Sequence, residues 1–207
     1  MTQNSSTIEQ LNDALANRID HVHQSLVQIS NGQGAGAGTI WHSDGLIITN
    51  AHVIRGHHQL DVTLPDGRKL PAQVITSDDQ LDLAALAVQA DNLPTIELGD
   101  SRKLKAGQWV MAVGHPWGVQ GAVTSGVVIG IGAHLPEMGQ MQPGREWIAL
   151  SLHMRPGHSG GPLIDSMGKL VGINTMITGP DVGFAIPVHV VKTFLKERMG
   201  AAATVAI

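Results

Sequence analysis

No apolar run in this chain is long. Leu46–Thr49 ends at Asn50, Leu60–Leu64 at Pro65 and Trp109–Val113 at Gly114, and Leu83–Val88 gives way to a polar stretch at Gln89. Runs of that length, closed by turn formers, suit strands and are too short for the long helices of a bundle. With 25 Gly and 10 Pro among 207 residues, the pattern repeats through the whole middle of the chain. Before residue 92 it gives about six strands, at Leu26–Ile29, Thr39–Trp41, Leu46–Thr49, Leu60–Leu64, Leu70–Ile75 and Leu83–Val88. After residue 108 it gives about six more, at Trp109–Val113, Val123–Ile131, Trp147–Leu150, Leu163-Ile164, Leu170–Thr175 and Phe184–Ile186. The economical reading is an all-β chain of two six-stranded antiparallel barrels side by side, with the cleft they share as the default site.

Helices are expected only at the ends. Ser6-x-x-Glu9 is a capping box, and Ile8, Leu11, Leu15, Ile19 and Val22 recur at helical spacing, so residues 6–21 read as an amphipathic helix packed on the body. Val188–Met199, entered at Pro187 and left at Gly200, reads as a second helix with Val188, Val191, Phe194 and Leu195 on its apolar stripe. The organisation that follows is an N-terminal helix (1–22), a first barrel (23–92), a linker (93–108), a second barrel (109–187), a C-terminal helix (188–199) and a tail (200–207). Asn31 to Gly38 reads as a flexible turn, because no Lys-Ser/Thr follows it as a phosphate loop requires.

Composition narrows the function. A net charge of −4 offers no footprint for nucleic acid or an anionic membrane, and no apolar run is long enough to span one. With no cysteine there is no disulfide framework. Glu9, Asp13, Arg18 and Asp20 occupy the region where an export signal needs an apolar stretch. The expected location is therefore the cytoplasm, or an exported compartment if a leader is missing from the sequence. No histidine spacing matches a zinc motif, so neither metal nor cofactor is expected.

The stretch Arg155-Pro156-Gly157-His158-Ser159-Gly160-Gly161-Pro162-Leu163 sets one serine among three glycines and two prolines. It could be only a turn. It also fits G-x-S-x-G, but Gly160-Gly161-Pro162 opens a helix poorly and the only later histidine is His189, so a nucleophile elbow fails. Beside the bare turn, a third reading is a nucleophile whose base and acid lie upstream, in the order His, Asp, Ser, which requires a histidine and an aspartate in defined settings earlier in the chain. His52 directly follows an apolar strand, whereas His57 and His58 read as a solvated loop and His115 as structural. His21, His23, His42, His134 and His189 have no acidic or metal-ligand partner at a useful spacing. Among the acids, Asp82 stands at the mouth of the buried Leu83-Ala84-Ala85-Leu86 run, while Asp78 and Asp79 fall in an ordinary turn.

Thr49-Asn50-Ala51-His52-Val53, Asp82-Leu83-Ala84, Gly157-His158-Ser159-Gly160-Gly161-Pro162-Leu163 and Gly183-Phe184-Ala185-Ile186-Pro187 together resemble the HtrA/Deg family of trypsin-like serine proteases. Ala112 to Gly118 and Thr124 to Val128 match in kind and order, so the resemblance covers roughly residues 20–199. It implies a chymotrypsin-like double β-barrel and endopeptidase activity on unfolded or damaged protein, as in protein quality control. It makes His52 the general base, Asp82 its orienting carboxylate and Ser159 the nucleophile, with Gly157, His158 and Ser159 offering backbone N–H groups to an oxyanion. The specificity pocket is expected to take His153, Asn174, Thr175 and Met176. Polypeptides are the implied partners. A catalytically weak, chaperone-like domain that holds unfolded chains in the same cleft is the alternative.

Three features depart from the family pattern. His158 stands where asparagine is usual and is expected to face solvent without a catalytic part. Leu150 to Arg155, which borders the specificity pocket, carries His153 and differs from the usual wording. Relatives commonly continue into PDZ domains, and this sequence ends at Ile207 without one. Relatives also often form trimers through aromatic N-terminal residues, yet residues 1–40 hold no Phe, Tyr or Trp, so homotrimer and monomer both stay open. Ala133 to Glu146 is expected to be an activation loop that orders with substrate.

Overall fold

The computed structural model describes residues 6–30, 34–57, 59–133, 135, 144–178 and 181–200. Among them the expected two barrels are present. The first closes in the order β1-β2-β3-β6-β5-β4, from β1 (Leu26–Ser30), β2 (Ala35–His42), β3 (Leu46–Thr49), β4 (Gln59–Thr63), β5 (Lys69–Asp78) and β6 (Leu83–Val88). The second closes in the order β10-β11-β12-β9-β8-β7, from β7 (Trp109–Gly114), β8 (Ala122–Gly132), β9 (Trp147–Ser151), β10 (Pro162–Asp165), β11 (Leu170–Thr178) and β12 (Val182–Pro187). Every pairing between these strands is antiparallel.

Strand periodicity explains how the barrels join. Side chains alternate across a strand, so each buried strand feeds two different cores. Along β6, Ala84, Leu86 and Val88 fill the first barrel, while Leu83 and Ala85 face a layer shared by both barrels. Along β7, Val110 and Ala112 fill the second barrel, while Met111 and Val113 join the same shared layer. Two-sided burial is why these strands read as continuous apolar runs. The cleft between the barrels is thus floored by strands whose backbones are fixed on both faces.

Helices α1 (Thr7–His23) and α3 (Val188–Met199) close the shared layer. The capping box at α1 forms as read: Ser6 Oγ accepts from Glu9 N–H and Glu9 accepts from Ser6 N–H. Only its C-terminal half packs, through Leu15, Ile19 and Val22, whereas Ile8 and Leu11 are exposed. The expected stripe of α3 is wholly buried.

The glycine-rich connection departs from expectation. Ala35 to Gly38 begins β2 and pairs with β1. A Cβ at Gly36 would meet Val53 at 2.6 Å, so glycine here admits close packing beneath the first helical turn after β3. Most of the expected activation loop, at 134 and 136–143, lies outside the described residues.

Phe194 is 1% exposed and binds α3 to the shared layer. Phe194→Ala is expected to cost about 3–5 kcal/mol in urea unfolding. A loss below about 1 kcal/mol would show that α3 does not complete the core.

Candidate active site

His52 stands on α2 (Ala51–Ile54), a single turn that begins as β3 ends. This turn of helix sets His52 at the edge of a cavity that Ser159 also lines. Asp82 ends the β5–β6 connection with φ +53°, in the left-handed region. The two residues meet. His52 Nδ1 lies 2.9 Å from each Asp82 carboxylate oxygen, and the His52 backbone N–H donates to Oδ1 at 3.0 Å. Thr175 Oγ1, from β11 of the other barrel, donates to Oδ2. Asn50 Nδ2 holds the Asp82 carbonyl at 3.0 Å.

Electrostatics follow from these contacts. Burial pushes the Asp82 carboxyl up, but the hydrogen bonds from His52 and Thr175 outweigh it and hold the group below the usual carboxylate range. An ionised Asp82 accepts a hydrogen bond from the Nδ1–H, which assigns the tautomer and leaves Nε2 as an acceptor toward the cleft.

The serine loop is fastened from both barrels. Ala37 N–H from β2 donates to the Ser159 carbonyl at 2.9 Å, Gly160 N–H donates to the Asn174 carbonyl at 2.9 Å and His115 N–H donates to the Gly157 carbonyl at 2.9 Å. Gly157 (φ +105°) and Gly160 (φ +84°) adopt backbone that favours glycine, and a Cβ at Gly160 would lie 2.1 Å from the Ala37 carbonyl oxygen. The loop is therefore a shaped element and not a bare turn. Ser159 Oγ donates to the Thr175 carbonyl at 2.8 Å, so the hydroxyl rests against the same residue that holds Asp82. Cavities of about 380 and 310 Å³ flank His52 and Ser159, one toward Gly36 and Val53 and one toward Met154 and Thr175.

Several expected site residues sit elsewhere. His158 is 2% exposed and not solvent-facing, because the loop folds its ring inward beside Gly114 and the Arg155 backbone. Its N–H donates to the Arg155 carbonyl at 3.0 Å, which leaves Gly157 and Ser159 as the candidate oxyanion donors. His153 is exposed and bonds Asp181 at 2.8 Å rather than lining the cavity beside Ser159. Asn174 is buried and bridges the Val113 and Pro162 carbonyls. Thr175 does line the cavity, and the Met176 side chain lies outside the described residues. Met154, which packs toward Gly183, takes the position expected of His153. His189, expected to lack an acidic partner, meets Glu146 at 3.1 Å, and His42 meets Asp44 at 3.5 Å. No group of three or more metal-ligating side chains occurs among the described residues.

Sequence reasoning missed what Thr175 does for Asp82. A hydroxyl beside a buried carboxylate could have been sought, but nothing local marks which strand crosses the cleft.

Burial lowers the pKa of both His115 and His158, only partly opposed by carbonyls of Val27 and Arg155 respectively. Their folded values lie below 6.5, so the unfolded chain binds the extra protons. Stability is full above that pH and declines below it, by up to about 1.4 kcal/mol per pH unit for each ring. His158→Asn should remove one ring's share of this slope, measured by urea unfolding between pH 7 and 5. An unchanged slope would contradict the burial.

Residues 36–173 match the trypsin-like peptidase domain family. The chain is 40% identical over 159 residues to a putative serine protease HhoB of Synechocystis sp., covering 76% of this chain and 38% of that protein. It is 44% identical over 160 residues to a probable periplasmic serine endoprotease DegP-like of Halomonas elongata, covering 75% and 33%. Another relative is a chloroplastic Protease Do-like protein of Arabidopsis thaliana. A solved structure titled HtrA-type protease AlgW with decapeptide superposes with a TM-score of 0.80 at 28% identity, covering 89% of this chain and 67% of that one. The chain spans 33–38% of the length of the first two named relatives. Periplasmic and chloroplastic relatives give the expected cytoplasmic location no support, and no described helix is long and apolar enough to cross a membrane. The chain belongs to the trypsin-like peptidase domain family, among proteases of the HtrA/Deg type.

Proposed function

We propose that this protein is a serine endopeptidase that cleaves extended stretches of unfolded or damaged polypeptide, in protein quality control. The observation that carries the reading is the junction at Asp82, where His52 from one barrel and Thr175 from the other bind one carboxylate while Ser159 rests on Thr175. The open cavities on either side of Ser159 suit a chain that passes through the cleft.

In the reaction, Ser159 leaves the Thr175 carbonyl and turns its hydroxyl to His52 Nε2. Oγ attacks the scissile carbonyl as its proton passes to His52, and Asp82 stabilises the resulting imidazolium. The carbonyl oxygen becomes an anion held by the Gly157 and Ser159 N–H groups; each such donor is typically worth about 3–4 kcal/mol of barrier. Collapse of the intermediate breaks the C–N bond, and His52 gives its proton to the leaving amine. Water then repeats the attack through His52, releasing the acid and restoring Ser159. His158 takes no proton in this scheme.

The orientation of the serine hydroxyl favours a second reading, a weakly catalytic domain that holds unfolded chains. The two separate on a fluorophosphonate probe, which reacts only with an activated serine. The enzyme reading predicts covalent labelling that is lost in Ser159→Ala and His52→Ala. Asp82→Asn should lower kcat by on the order of 10³- to 10⁴-fold, because the wrong tautomer is then held. Absence of labelling in the unmodified protein, with retained binding of an unfolded polypeptide, would favour the binding module.

A further inference from the structure

The turn that presents Asp82 is tied from four directions. Asp78 Oδ1 accepts the Leu81 N–H at 2.9 Å, and Arg198 from α3 donates to Asp78 Oδ2 at 2.6 Å. Asn50 holds the Asp82 carbonyl. The fourth tie is Arg145, two residues before β9 in the second barrel. Its Nη1 donates to the Gln80 carbonyl at 2.8 Å and its Nη2 to the Leu81 carbonyl. The guanidinium carbon lies 3.7 Å from the ring centroid of Trp147, itself fully buried against Phe184.

We propose that Arg145 is a positioning residue for the reaction: by gripping the two carbonyls just before Asp82, it fixes the left-handed turn that aims the carboxylate at His52 and ties that turn to the second barrel. The proposal rests on the His52–Asp82–Ser159 reading. A non-glycine residue at φ +53° persists only where its surroundings over-determine it. Arg145 supplies a constraint that no other residue type would: a planar fork reaches two adjacent carbonyls while its face stacks on an aromatic ring. The residue is only 7% exposed, and burial pulls its pKa down to about 10, with Asp82 and Asp78 opposing. It is therefore charged at neutral pH. Among the described residues, the carboxylates that act on its charge include those two, with His52 beyond Asp82 and Arg198 beyond Asp78. Arg145 lines neither cavity beside Ser159, so it acts on the reaction through the turn and not on substrate.

The test uses Arg145→Met and Arg145→Lys in the full chain, with folding checked by cooperative thermal melting. Two readouts are recorded: kcat and KM on a peptide substrate, with the rate of Ser159 labelling, and the downfield NMR resonance of the His52 Nδ1 proton. Arg145→Met should lower kcat and the labelling rate by about a hundredfold, as a small misplacement of a catalytic group does, with KM little changed. Lysine keeps the charge but not the fork, and should recover only part of the rate. The Nδ1 resonance should shift or broaden in both variants. Wild-type rates and an unshifted resonance in folded Arg145→Lys, or in folded Arg145→Met, would overturn the proposal; if the methionine variant does not fold, the lysine variant decides. An unlabelled wild-type protein would instead sink the protease reading, and the resonance would still judge the clamp.

Discussion

Everything in the site depends on where one buried carboxylate is held. Asp82 accepts from the ring and backbone of His52 and from the hydroxyl of Thr175, so three donors from both barrels converge on it. Burial alone would raise its pKa, and the donors outweigh that and hold the group below the usual carboxylate range. The same contacts fix the tautomer of His52 and place Ser159 beside Thr175. A single charge thus sets the protonation, the orientation and the docking of the two barrels at the cleft.

That convergence is possible because the barrels share a core. Strands that are buried on both faces commit their alternate side chains to a barrel interior and to the common layer, and α3 seals that layer with Val188, Val191, Phe194 and Leu195. Interiors packed to crystal-like density transmit little slack. A loop that rises from one barrel can therefore meet a strand of the other to within hydrogen-bond distance, as Ser159 does with Ala37 of β2.

The strand pattern was legible because it is local: period-two alternation and turn formers mark each element, and both helices carry their own caps and stripes. His52 and Asp82 were legible through the apolar strands beside them, together with the resemblance that the motifs carry. The part that was not legible depends on distant contacts. Whether His158 faces water depends on Gly114 and Arg155 closing over it. Whether His153 or Met154 lines the cavity depends on how a short segment turns after β9. Thr175 meets Asp82 from 93 residues away, and Arg145 holds the carbonyls of Gln80 and Leu81 from 65 and 64 residues away, a reach that no local pattern encodes. The glycines at the start of β2 were misread because glycine marks a close backbone approach as readily as a loose turn.

The most direct measurement is a crystal structure of the protein with a phosphonate bonded to Ser159 Oγ, a mimic of the tetrahedral intermediate. The expected adduct keeps the His52–Asp82–Thr175 contacts, turns Ser159 away from the Thr175 carbonyl and places a phosphonyl oxygen within hydrogen-bond distance of the Gly157 and Ser159 N–H groups. An adduct whose oxygen faces solvent, or one in which His52 has parted from Asp82, would contradict a reaction organised around that carboxylate.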